Sequence, residues 1–271
     1  MIMADTHQLT DDNRDWLRHA ARAGYVARGA VFLIIGYFAF RAAFASGEAM
    51  DSKDAVGQIA GSAFGTILLG LLVLALSCFA AWRIVQVVFD VDHHGTDTKG
   101  LFVRVGLIFS ALAYGALAFY AASLLIGMAR GGGSNGLVAK AYEVGYGVWL
   151  TYIVALGMAA AGAAHIFKGA KAGFEKYMEI PEGVRSWLTP VCQFGLIARG
   201  VTFLVLAGLL FSGAASYASG DTPGLDTALA AMEGWSYGWA LLSLTGLGLM
   251  AFGIYALAEA LYRRINIEAV V

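Results

Sequence analysis

Seven polar residues stand at matched places in a chain that is otherwise strongly apolar. Arg28 and Arg199 each follow a glycine by four positions, in the segments "GYVAR" and "GLIAR". Gln86, Lys168 and Glu259 close three later apolar runs, and Arg83 and His165 precede the first two of these by one turn. Ionisable groups within apolar segments are costly and mark buried pairs, ion paths or proton relays. Lys168 and Glu259 carry opposite charges and can pair, with Arg28 and Arg199 as further partners. At 1.5 Å of helix rise per residue, each Arg sits roughly 6 Å beyond its glycine. All seven then share one layer near one end of their helices. Two placements are open. The side chains snorkel separately toward headgroups and water, or they turn inward as one polar layer.

Other chemistry is sparse. The loop "FDVDHHGTDTKG" holds Asp90, Asp92, His93, His94 and Asp97. Carboxylates and imidazoles suit a divalent metal, but a solvated turn has the same composition, and no metal is assigned. Cys78 and Cys192 are isolated thiols that imply neither a disulfide framework nor a metal site. There is no phosphate loop, metalloprotease helix or nucleophile elbow. The expectation is a non-enzyme with no cofactor. Span centres offer hydroxyls such as Tyr37, Ser77, Tyr114, Thr151, Thr202, Ser243 and Thr245, without a charged residue. Ion-coupled transport generally needs titratable or coordinating groups near the midplane, so active transport is disfavoured.

The elements that position these residues are set by composition. Of 271 residues, 59% are hydrophobic and 14% charged, against about 25% charged in soluble domains. Mean hydropathy is +0.69. Apolar segments at 24–44, 63–89, 102–127, 145–168, 193–215 and 236–262 are long enough to cross about 30 Å of hydrocarbon as helices. Pro181, Pro190 and Pro223 fall outside them, so no proline kink is expected in a span. Gly57, Gly61 and Gly65, spaced by four, offer a close-packing face. Of the 18 Lys and Arg residues, 14 fall on the side that holds both chain ends. The positive-inside rule makes that side cytoplasmic. A bacterial inner-membrane protein with both termini inside is expected. No cleavable leader is expected ahead of the first span, because residues 1–20 are polar. Net charge is −1, which gives nucleic acid no footing. Aromatics at the outer ends (Phe64, Tyr142, Tyr146, Trp149, Trp235, Tyr237 and Trp239) fit an interfacial belt.

The chain repeats itself. "RAGYVARGAVF" at 22–32, "RVGLIFSALAY" at 104–114 and "QFGLIARGVTF" at 193–203 align on Gly24, Gly106 and Gly195. An aromatic–glycine pair follows each at a near-constant offset: Phe64-Gly65, Tyr146-Gly147 and Tyr237-Gly238. Gln86, Lys168 and Glu259 then fall at offsets 62, 62 and 64. Parallel repeats of two spans imply an axis along the membrane normal. The expected fold is an all-α integral membrane protein, six transmembrane helices as three tandem hairpins around a pseudo-threefold axis. The division is a polar segment at 1–20, hairpins at 21–92, 93–180 and 181–264, and a tail at 265–271. Each outer loop suggests a short interfacial helix, two of them N-capped by Asp54 and Asp226.

"ARAGYVARG" at 21–29, "IARG" at 197–200, the tripled hairpin and "DVDHHGTDTKG" at 90–100 together resemble the bacterial membrane family called domain of unknown function 1206. The resemblance spans about Arg22 to Arg264. It implies fold and location, and no activity. The second repeat departs from it, with Ser110 and Ala111 in place of Arg-Gly. Two roles fit. One is a structural or accessory subunit whose partners are membrane lipids and another integral membrane protein. The alternative is a passive channel or carrier for a small solute or anion, with the polar layer as its selectivity element.

Overall fold

The computed structural model describes residues 11–44, 56–57, 65–91, 95, 97–127, 145–213 and 237–265. Six long helices make up the described chain: α1 (Asp11–Ala42), α2 (Gly65–Phe89), α3 (Thr98–Leu125), α4 (Gly147–Ala170), α5 (Glu182–Gly213) and α6 (Gly238–Tyr262). Each contains a stretch long and apolar enough to span a membrane. The chain is a multi-pass membrane protein. No strand occurs among the described residues. The glycines of the three aromatic–glycine pairs are the first residues of α2, α4 and α6.

Two boundaries differ from the sequence reading. Helix α1 begins at Asp11, inside the segment read as a polar tail, and α5 begins at Glu182. Both helices have 32 residues. Pro190 therefore lies inside α5, where its ring removes the bond to the Ser186 carbonyl. Polar residues ahead of an apolar run extend a helix readily, since the first turns need only caps and a favourable charge such as Glu182. Asp54, Asp226 and the outer-loop helices lie outside the described residues, apart from the helical Val56 and Gly57.

The three hairpins form a ring with one opening. Helix α1 packs on α6, α3 on α2, and α5 on α4. The first helix of every hairpin thus lies against the second helix of the preceding one, cyclically. Within hairpins, α1 packs on α2 and α5 on α6. Helices α3 and α4 have no comparable packing on each other among the described residues. They leave the one seam in the ring, and they are also the least buried spans.

Glycine explains the close contacts. A Cβ on Gly29 would lie 3.0 Å from the Gly253 carbonyl oxygen, and one on Gly253 2.9 Å from that of Gly29. One turn pair further on, Gly36 and Gly246 meet in the same reciprocal way. In the equivalent α4–α5 interface, Gly162 and Gly200 do likewise. In lipid, where association depends on packing and polar contacts, such backbone approach is a main source of helix affinity. Of the face expected from Gly57, Gly61 and Gly65, Gly61 lies outside the described residues. Sequence spacing alone does not say which small residues meet a partner.

The reference glycines do the same job within hairpins. A Cβ on Gly24 would come 2.7 Å from Phe79 Cα, and one on Gly195 2.7 Å from Phe252 Cα. Gly106 meets nothing within 4 Å, because α4 has stepped away from α3. One repeat position therefore has two different demands. Gly24→Ala and Gly195→Ala should each destabilise by about 1–3 kcal/mol through overpacking, while Gly106→Ala should stay within about 0.5 kcal/mol. Thermal unfolding of the three variants in one detergent tests this; equal losses in all three would contradict the splayed second hairpin.

Candidate functional site: a buried cation-rich layer

The expected layer residues face inward. Arg28 is 5% exposed, Gln86 2% and Glu259 2%. Arg83, His165, Lys168 and Arg199 are half-buried. Arg28 Nη2 pairs with Glu259 Oε2 across the α1–α6 interface. Arg263, one turn past Glu259 at the end of α6, donates from Nη1 to Oε1 at 2.7 Å. One carboxylate thus holds two guanidinium groups, one on each oxygen. Breaking such a buried pair by removing one member costs far more than its net contribution, since a bare charge is left behind.

The direct partner of Glu259 is Arg28 rather than Lys168, the pairing first suggested by their charges. Lys168 Nζ donates instead to the Tyr255 hydroxyl at 2.8 Å, and that hydroxyl lies beside the Glu259 carboxylate. The connection is indirect because Tyr255 is one turn before Glu259 and stands between them. Arg83 Nη1 donates to Gln86 Oε1 at 2.9 Å. His165 Nδ1 lies 2.8 Å from the Ala161 carbonyl. A carbonyl only accepts, so Nδ1 carries the proton and Nε2 is left as acceptor.

Aromatic rings form the walls. The Arg28 guanidinium lies 5.2 Å from the ring centres of Tyr25 and Phe79, 5.4 Å from Phe252 and 5.9 Å from Tyr255. Arg83 stands over Phe79 at 4.7 Å. Ring faces carry negative potential, so a desolvated cation gains about 2 kcal/mol or more from such contacts. These rings also follow the repeat. Phe32, Tyr114 and Phe203 all lie eight residues past their reference glycines. Phe32 meets Phe252 edge-on at 4.9 Å, and Tyr114 meets Phe79 at 4.8 Å, across equivalent interfaces. In the third interface Ala161 replaces the phenylalanine, and His165 meets Phe203 at 5.6 Å instead.

Arg199 is set apart from the others. Its guanidinium lies 4.2 Å from Phe32, 4.5 Å from Phe252 and 4.6 Å from Phe203, with Tyr114 beside it. Its Nε has no hydrogen-bond partner among the described residues. Sequence reasoning missed Arg263, Tyr255 and the aromatic walls. The constant offset of Phe32, Tyr114 and Phe203 was the signal available for the last of these.

The segment between α4 and α5 closes the layer from below. A 3-10 turn at Glu175–Tyr177 leads to an isolated antiparallel bridge between Met178 and Arg263. Glu179 N donates to the Tyr262 carbonyl at 2.8 Å, and Arg264 N to that of Tyr177 at 2.9 Å. Phe174, fully buried, packs on Tyr255 at 5.6 Å. Gln193 Nε2 caps the end of α4 through the Gly169 carbonyl at 2.9 Å.

In the loop after α2, Asp90 accepts from Gly95 N at 2.8 Å and pairs with Arg104 at 3.3 Å. Asp97 caps α3 through Gly100 N at 2.8 Å. Both carboxylates thus hold local structure, while Asp92, His93 and His94 lie outside the described residues. Of the outer aromatics, Tyr146, Trp149, Tyr237 and Trp239 are exposed on the helix surfaces.

The geometry assigns a price to each half of the central pair. Glu259→Gln should destabilise the bundle by about 3–5 kcal/mol, and the double change Arg28→Met with Glu259→Leu by clearly less. A thermal or denaturant comparison in detergent checks the order; a double variant worse than Glu259→Gln would contradict an ion pair buried for structure.

The family model described as domain of unknown function 1206 matches the chain three times, at residues 23–90, 105–172 and 194–263. Each match opens one residue ahead of a reference glycine. The chain is also 29% identical over 266 residues to the uncharacterized protein YxxB of Bacillus subtilis (strain 168), covering 96% of each. No solved structure matches. With three tandem copies that tile most of its length, the chain belongs to the family of domain of unknown function 1206.

Proposed function

We propose that the chain is a non-enzymatic structural or accessory protein of the bacterial inner membrane, with both ends in the cytoplasm, that works by contact with lipids and other membrane proteins. The packed interior carries this reading. Tyr25, Phe79, Phe252, Ile35, Leu76 and Leu249 are all fully buried in one core cluster that occupies the layer and the space beyond it. A conducting path needs a polar or wet lining along its length, and these side chains interrupt any such lining beyond the layer. The outer faces of α3 and α4 meanwhile present Leu112, Phe119, Ile153 and Leu156 to the surroundings. The basic excess on the side of both termini supports the orientation.

A passive anion channel would use the same arginines, so the decisive assay is flux. Purified protein in liposomes should pass chloride no faster than protein-free vesicles. Flux that disappears in Arg28→Ala would replace the accessory reading with the channel. In the same preparation, mild-detergent purification from cells at native expression should recover a membrane partner in fixed stoichiometry, lost on Leu156→Arg.

A further inference from the structure

The repeat places three pairs of residues at equivalent interfaces of the ring, and the pairs are not alike. In α1–α6 the position four past the glycine is Arg28 and its counterpart is Glu259. In α3–α2 the two are Ser110 and Gln86, both neutral. In α5–α4 they are Arg199 and Lys168, both cationic. The first pair is a salt bridge. The second needs no counterion. The third has two positive charges where the first has one of each sign. Lys168 resolves its own position by turning to Tyr255, next to Glu259. Arg199 is left among three phenylalanine rings, with the neutral Tyr114 hydroxyl as its hydrogen-bond partner and no acid. Among the described residues no carboxylate lies within 4.0 Å of it, and its Nε is unbonded.

The surroundings of Arg199 say from where an anion would come. Tyr114 belongs to α3 and His165 to α4, and both border the guanidinium's cage. Those two helices are the neighbours that fail to pack on each other. Gly106 on α3 and Gly157 on α4 have open space at their Cβ positions. The seam thus leads from the lipid-facing surface toward Arg199. On α5 itself, the next ring toward the outside is Phe203, so the route is apolar up to the cation. Acyl chains fit along such walls while their headgroup stays level with Arg199, whereas a free ion has no apolar part for the walls to hold.

We propose that Arg199 binds the oxyanion of an anionic membrane lipid that enters through the α3–α4 seam. The lipid headgroup takes the place that the Glu259 carboxylate holds for Arg28, and its chains lie along the apolar walls of the seam. Tyr114 donates a second hydrogen bond to the headgroup. His165 Nε2 accepts from any headgroup hydroxyl. The proposal depends on the accessory reading only for its bilayer setting. Chloride flux would sink that reading and leave the lipid response below intact.

The test uses full-length protein in nanodiscs of phosphatidylcholine, with or without phosphatidylglycerol, and reads thermal unfolding. Phosphatidylglycerol should raise the wild-type midpoint by about 5 °C, as linkage requires of a ligand bound only to the folded state. Arg199→Gln should lose that rise, whereas Arg185→Gln, an exposed arginine, should keep it. Lys168→Glu places an acid where the first interface has Glu259. It should raise the midpoint in pure phosphatidylcholine and abolish the response to phosphatidylglycerol. If Arg199→Gln does not fold, the Lys168→Glu result carries the test alone. A full phosphatidylglycerol response in Lys168→Glu, or in folded Arg199→Gln, overturns the site. Inorganic phosphate added to phosphatidylcholine nanodiscs should produce no rise, and a rise equal to that of the lipid overturns the membrane source.

Discussion

Glu259 is the one carboxylate that the described helices bring into contact with Arg28 and Arg263, one on each of its oxygens. Everything around the layer is arranged so that this sharing is possible. Helix α1 must approach α6 closely, and Gly29, Gly36, Gly246 and Gly253 allow it. The cations that Glu259 does not reach are met by rings and by neutral acceptors: Arg83 by Phe79 and Gln86, Lys168 by Tyr255. Dehydrated cations cost several kcal/mol each unless something offsets them. The aromatic content of the layer is that offset.

Triplication supplied one backbone plan, and substitution made its three interfaces unequal. The α1–α6 seam is the tightest in chemistry, with glycine against glycine and acid against base. The α2–α3 interface keeps the ring contact of Tyr114 and Phe79, but has Ala111 and Ala80 where the others have glycines. The α4–α5 interface keeps the glycines and loses the acid. The second hairpin lies between these last two, and it is the hairpin whose own helices part. With Ala161 at the place of Phe79 and Phe252, the second hairpin lacks the residue that meets the reference glycine in the first and third.

Much of this was legible in the chain. Apolar length gave six helices, and the recurrence of Gly24, Gly106 and Gly195 gave three hairpins. The register of Gln86, Lys168 and Glu259 placed them at one height. Which acid pairs with which base was not legible, because formal charge does not reveal that Tyr255 stands between Lys168 and Glu259. The glycine faces were not legible either, since a helix carries small residues on several sides and only packing selects one. The extension of α1 and α5 into polar sequence escaped notice because apolar runs mark where lipid begins, and a helix need not stop there. Arg263 lies beyond the last apolar residue, and the bridge to Met178 and the bond to Glu259 draw it inward.

The partners in the central ion pair are 231 residues apart. During synthesis at roughly 5–20 residues per second, Arg28 enters the membrane on the first helix, and Glu259 does not exist until roughly 10–50 s later. Through that interval the nascent chain carries an uncompensated cation. The first helix has to wait near the interface, or be held by the insertion machinery, until the last helix arrives. Formation of the α1–α6 interface is then the terminal event of biogenesis. A chain that stops before α6 keeps an exposed positive charge in its first helix, a mark by which membrane proteases can tell an unfinished molecule from a complete one.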